Sequence, residues 1–217
     1  MTAQVDGDAK VEAPPVSRYT FAARINHWIT AVSLVLLALS GLALFHPSLF
    51  FFTYLFGGGQ LTRIIHPWIG VVLAVSFLGL FLRFFALNFW KREDTIWMKN
   101  LGQVINNKEE GLPELGKYNA GQKLVFWGQS ILILVLLLSG VVLWDTYFAD
   151  YTQIDQKRLA AVAHAFCAIA AILIWIVHVY AAIWVKGTLR AMTRGSVTGG
   201  WAWKHHRKWF RQEVGKP

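Results

Sequence analysis

Cysteine, charge and acidic residues are all scarce in this chain, and each scarcity removes a class of protein. The one cysteine, Cys167, excludes an internal disulfide and any cysteine-ligated iron–sulfur cluster. It reads as a small packing residue. Charged side chains make up 15% of the 217 residues, where a soluble domain carries about 25%. What replaces them is apolar: 55% of the chain, with a mean hydropathy of +0.42. Residues 1–20 hold no apolar core that would make a secretory signal, so none is expected there. Acidic residues number 12 against 21 lysines and arginines, a formal charge of +9. A basic excess can mark a nucleic-acid binder. Here the cations flank apolar runs, which points to lipid headgroups and membrane topology instead, and no nucleic-acid partner is expected. No fixed-period repeat and no low-complexity tract is visible.

The apolar residues are gathered into four runs long enough to cross a bilayer, at 28–45, 67–90, 124–144 and 159–185. In lipid the backbone must satisfy its own hydrogen bonds, so these runs are expected to be helices. The aromatic stretch 49–56, closed by Gly57-Gly58-Gly59, reads as an interfacial piece. Lysine and arginine set the orientation. The tail carries Lys186, Arg190, Arg194, Lys204, Arg207, Lys208 and Arg211, and the link between the second and third runs carries Lys91, Arg92, Lys99, Lys108, Lys117 and Lys123. The first-to-second link holds only Arg63. By the positive-inside rule both termini are cytoplasmic. The eleven tryptophans suit the two interfaces. The expected fold class is all-α: an integral membrane four-helix bundle (multi-pass). A polar arm at 1–20 precedes a unit at 21–212 that includes the basic tail.

Ionisable residues inside a membrane are functional candidates by default. Four histidines qualify, and chain order sets their depth. His27 opens the first run on the cytoplasmic side, and His66 opens the second on the outer side. His164 lies near the outer start of the fourth run and His178 deeper along it. The last two are 14 residues apart, or about 21 Å along a helix and about 40° around it. They therefore share a face. One helix can offer axial ligands to two haems, with His66 completing an outer pair and His27 an inner pair. Two neutral imidazoles fill both axial positions, which favours electron transfer over oxygen binding. Alanines around His164 (Ala160, Ala161, Ala163, Ala165 and Ala168), with Gly41, Gly70 and Gly140 on other runs, leave room for a flat macrocycle. The expected cofactors are two b-type haems. Arg24, Arg83 and Lys186 lie near inner helix ends; they either pair with haem propionates or snorkel to headgroups. His46, before Pro47, reads as a loop residue, and His205 and His206 as part of a solvated basic tail. A haem-free metal transporter or membrane anchor is the alternative of a different class. A transport route usually also needs carboxylates inside the membrane, and the four runs contain none.

Five segments resemble the gamma (cytochrome b) subunit of membrane-bound respiratory formate dehydrogenase. They are Arg24-Ile25-Asn26-His27-Trp28, Arg63-Ile64-Ile65-His66-Pro67, the stretch 116–123 (GKYNAGQK), the stretch 178–187 (HVYAAIWVKG) and the tail 201–209 with Lys204-His205-His206. The likeness spans about residues 18–212. It implies that electrons arrive from an iron–sulfur beta subunit served by a catalytic alpha subunit outside the membrane. They would pass the outer haem (His66, His164), then the inner haem (His27, His178), and reduce a menaquinone or ubiquinone near the cytoplasmic face. That inward transfer, with proton uptake from the cytoplasm, would build a protonmotive force. No catalytic residue for formate itself is expected on this chain. The resemblance implies a quinone site at Asn119, Ala120, Gly121 and Gln122 with His178; from the residues alone, Asn119 and Gln122 read equally as a helix-capping box. A higher oligomer, a trimer of heterotrimers, and a place in the bacterial inner membrane are implied as well. The cytochrome b of a nickel–iron hydrogenase, or of a thiosulfate or polysulfide reductase, is the related alternative.

Overall fold

The computed structural model describes residues 15–106 and 111–215. Residues 1–14 of the polar arm lie outside the described residues. In chain order, strand β1 (Val16–Ser17) leads into helix α1 (Phe21–Phe45), and a 3-10 segment (Pro47–Phe56) connects to α2 (Gly59–Phe84). A further 3-10 turn carries the second span to Asn88, and the short helices α3 (Arg92–Lys99) and α4 (Leu101–Ile105) follow. Then come α5 (Ala120–Leu143), α6 (Asp145–Phe148) and α7 (Ile154–Trp184). The tail folds as α8 (Thr188–Arg194), β2 (Ser196–Val197), α9 (Gly199–His205) and α10 (Arg207–Val214). Among the described residues four helical segments are long and apolar enough to cross a membrane, as the sequence predicts.

The helices start earlier than the apolar runs do, because capping chemistry and not hydropathy begins a helix. Thr20 caps α1 by accepting from Ala23 N at 3.3 Å. His27 is therefore inside the helix and does not open it. Helix α2 begins at Gly59, after Gly57 and Gly58 at φ 81° and 100°, a left-handed turn that glycine makes without strain. Pro67 consequently lies within α2. It supplies no N–H to the carbonyl one turn back, a defect that a packed membrane helix tolerates. The preceding residue, His66, is thus held in mid-helix.

Helix α1 packs most closely on α2 and α5 on α7, and the two hairpins meet more sparsely through α1–α7 and α2–α5. The bundle is polar inside and apolar outside. Thr30, Ser33, Ser40, Ser76, Gln129 and Ser139 are buried, while outward residues such as Ile131 (61% exposed) and Val162 (70%) face the lipid position. Buried hydroxyls and amides join the helices. Ser76 Oγ donates to Asn26 Oδ1 at 2.7 Å and lies 2.7 Å from Thr30 Oγ1. Gln129 Nε2 donates to Ala171 O at 2.9 Å. Where lipid offers no hydrophobic drive between helices, such bonds and close packing fix the pairs.

The first and last described segments meet at one end of the bundle and form a cap on it. Strand β1 pairs antiparallel with β2, Val16 opposite Val197. Around this pair Ala191, Val197, Trp201, Ala202 and Trp209 form an apolar core. Arg18, 4% exposed, lies over the rings of Trp209 and Trp201 at 4.7 and 5.0 Å. Its guanidinium donates to Lys117 O and to His206 Nε2. His206 is therefore not a solvated tail residue. It is 1% exposed, and its Nδ1–H donates to Gly116 O at 2.8 Å. Burial first, and the Arg18 charge second, hold its pKa well below the usual histidine value, opposed by the bond to Gly116. His205 packs on the Trp201 ring. Lys123, read as a loop cation, is instead in the first turn of α5, in a buried pair with Asp94 at 2.5 Å. The partners of Arg18, His206 and Lys123 come from segments far apart in sequence, so no local pattern reveals them.

Candidate functional site

Helix α7 carries His164 and His178, α1 carries His27 and α2 carries His66. The structure brings them together in twos. The ring centroids of His27 and His178 are 6.3 Å apart, and those of His66 and His164 are 6.4 Å apart. An imidazole nitrogen binds a metal at about 2 Å and lies about 1.1 Å from its own ring centroid, so two imidazoles facing across one iron have centroids about 6.2 Å apart. Both pairs match that span. The rings are inclined at 51° and 63°, neither stacked nor in direct hydrogen bond, as two rings approaching one ion from opposite sides would be.

The neighbours of the second pair add to the fit. Ser40 Oγ lies 2.7 Å from His66 Nδ1, and Ser139 Oγ lies 2.9 Å from His164 Nδ1. The Nε2 atoms are left for a ligand. Gly41 and Gly140 follow these serines and let the rings approach. A Cβ on Gly41 would stand 3.3 Å from His66 Cε1, and one on Gly140 would stand 3.5 Å from His164 Cε1. Gly70, one turn beyond His66, opens on free space. In the first pair His27 Nδ1 is buried without a partner. Beside it, Asn26 lies against Gly79 and holds Ser76.

Other predicted residues take definite places. Asn119 and Gln122 form the capping box of α5: Gln122 N donates to Asn119 Oδ1 at 2.9 Å, and Asn119 N to Gln122 Oε1 at 3.0 Å. Their amide nitrogens remain as donors. Gly121 lies near the Trp97 ring, and Ala120 is fully buried in a core with Trp97 and Leu115. This box sits at the cap end of the bundle, the end toward which His27 and His178 lie. Arg24 donates from Nη1 to Thr193 O at 2.6 Å and keeps Nε buried without a partner. Arg83 reaches Thr20 Oγ1 at 3.4 Å, and Lys186 is exposed just past α7. His46 caps the 3-10 segment by accepting from Ser48 N at 3.2 Å, in keeping with a loop role. Sequence reasoning passed over Ser40 and Ser139. The available signal was a Ser-Gly pair in the middle of two otherwise aliphatic runs.

Known proteins resemble this chain over most of its length. A family model described as prokaryotic cytochrome b561 matches residues 18–195. The cytochrome b556(fdo) subunit of formate dehydrogenase from Escherichia coli (strain K12) is 46% identical over 91% of this chain and 92% of its own. The nitrate-inducible cytochrome b556(Fdn) subunit from the same organism is 38% identical over 91% of each chain. A formate dehydrogenase cytochrome b556 subunit from Haemophilus influenzae is 35% identical over 92% of this chain and 84% of its own.

Proposed function

The chain belongs to the prokaryotic cytochrome b561 family, and from that membership we propose that it is the di-haem b subunit of a formate dehydrogenase. In this reading it carries electrons from an iron–sulfur subunit on the outer side across the membrane to a quinone near the cytoplasmic face. The observation that carries the proposal is the two pairs of imidazoles with centroids 6.3 and 6.4 Å apart, two of the four rings on one helix. The relatives' names support formate as the reductant of the whole complex. The chain serves as the quinone-reducing, electron-transferring subunit, and formate chemistry belongs to a partner.

Bound between the helices, haem b would supply one-electron carriers at two depths. The protein's own residues do the rest. His66 and His164 hold the outer site and His27 and His178 the inner one, each through a neutral ring nitrogen. Arg24, through its unpartnered Nε, and Arg83 and Lys186 near the same end, are suited to propionate carboxylates. At the cap end the spare amide N–H groups of Asn119 and Gln122 offer donors to a quinone carbonyl, and Gly121 lets a ring approach the backbone. The buried Ala120 supports that turn from behind. His178 stands at the same level. Proton uptake there from the cytoplasm, with electrons arriving from outside, would contribute to the protonmotive force. The partners are the iron–sulfur and catalytic subunits, lipid and quinone, in a higher oligomer.

Purification with partners, followed by haem counting, tests this directly. Two b-type haems per chain and a formate dehydrogenase catalytic subunit are expected. His164→Ala should lose the outer haem, and His178→Ala should lose the inner haem and stop quinone reduction. A hydrogenase large subunit in the purified complex would overturn the formate assignment. A dithionite-reduced spectrum without b-type bands would overturn the haem reading as a whole.

A further inference from the structure

The two histidine pairs differ in one respect that bears on the direction of electron flow. Both rings of the pair farther from the cap rest on a serine, and neither ring of the nearer pair does. Ser40 Oγ donates its one proton to Leu36 O at 2.7 Å, and Ser139 Oγ donates to Val135 O at 2.6 Å. A carbonyl oxygen at such a distance needs a proton between the two oxygens, so the hydroxyl proton is spoken for. The serine lone pair must then accept, and the contacts at 2.7 and 2.9 Å are Nδ1–H groups donating to serine. This settles the tautomer. In His66 and His164 the proton is on Nδ1, and Nε2 presents a bare lone pair. In the nearer pair His27 Nδ1 is buried without a partner, and the His178 ring, facing His27, takes no side-chain hydrogen bond among the described residues.

We propose that Ser40 and Ser139 are positioning residues that orient His66 and His164 for the outer haem and make that haem the lower-potential one of the two. The inference rests on the haem-ligand reading above. A hydrogen bond accepted from Nδ1–H pushes electron density into the ring and raises the basicity of the opposite nitrogen. A more basic axial ligand favours ferric over ferrous iron, which lowers the potential. Each serine is itself polarised by the carbonyl it bonds, so its oxygen is a stronger acceptor than a free hydroxyl. The outer site has two such bonds and the inner site none. Electrons entering at the outer site therefore run downhill toward the cap, where the quinone candidates lie. The device is repeated: a Ser-Gly pair on the first helix of each hairpin, α1 or α5, serves a histidine on the second, α2 or α7.

The test is a spectroelectrochemical titration of the b-type bands in membranes that hold the complete complex. In the unmodified protein the component of lower midpoint potential is expected to be the one missing from His164→Ala. Ser40→Ala and Ser139→Ala should each shift that component upward, the double variant further, with the other component unmoved. Ser130→Ala is the control, because Ser130 Oγ makes the same bond to Phe126 O, at 2.7 Å, without a histidine on its lone pair; it should move neither. If an alanine variant loses the outer haem, the matching threonine variant decides. Retention with the hydroxyl restored supports the proposal, and loss overturns it. Two haems present with unshifted potentials, or equal shifts in both components, overturn this inference alone. So does a lower-potential component that disappears with His27→Ala. No b-type bands in the unmodified protein would overturn the haem reading and this inference together.

Discussion

At the scale of single residues, the site is built from small side chains as much as from ligands. Gly41 and Gly140 stand in matching places, but the clearance differs: 3.3 Å from an added Cβ to His66, against 3.5 Å to His164. The first is tighter than ordinary contact, and His66 cannot swing freely because Ser40 holds its Nδ1. Gly41→Ala should therefore displace the ring at a cost of about 1–3 kcal/mol. That corresponds to roughly a fivefold to hundredfold weakening of outer-haem retention. Gly140→Ala should be nearly silent. Haem content per chain, measured for both variants, checks this, and equal content in the two would contradict the clearance argument. The histidines themselves were legible in the sequence, since intramembrane ionisable residues are rare and a spacing of 14 residues sets two of them on one helix face. The serines were not. A serine in an apolar run satisfies itself by bonding back one turn, and only the neighbouring helix reveals what its lone pair does.

At the scale of elements, the long spans and the short cap obey different rules. The spans follow from hydropathy alone, with ends adjusted by caps such as Thr20 and Asn119. The cap is a small apolar core assembled from β1, α8, β2, α9 and α10, against the turn before α5. His206 is its hinge of charge. Its folded-state pKa is depressed, while in an unfolded cap it would titrate near 6.5. Between those two values the unfolded state binds more protons. Cap stability is thus fully present above about pH 6.5 and is lost as the pH falls below it. Hydrogen exchange of residues 196–210 at pH 7.5 and 5.5, corrected for intrinsic rates, should show faster opening at the lower pH. His206→Gln keeps a polar group but removes the titration, and should flatten the difference. A pH dependence undiminished in that variant would place the titrating group elsewhere. The sequence reading of this tail as solvated failed for a physical reason. Its apolar face of Trp201, Ala202 and Trp209 is covered by Val16 and Tyr19, nearly two hundred residues away along the chain.

At the scale of the whole molecule, the pairing of β1 with β2 brings the first and last described segments to one end of the bundle. The cations collected there, on the cap and the link before α5, lead us to propose that this end is the cytoplasmic one, by the positive-inside rule. An alkaline phosphatase fused after the last residue should be inactive, and one inserted within residues 47–56 should be active. The reverse pattern would invert the direction of electron flow argued above.

The sequence by itself determined the solvent of this protein, the number of its spans and the four histidines, because long apolar runs and intramembrane ionisable groups are local signals whose energies dominate in lipid. Helix periodicity added that His164 and His178 share a face. Only the tertiary structure decided that the rings meet in pairs at a haem-spanning distance, that two of them rest on serines, and that the basic tail is a folded cap. Each of those depends on groups brought together from separate helices, where a hydrogen bond or a clearance of a few tenths of an ångström carries the effect and no single stretch of sequence contains both partners.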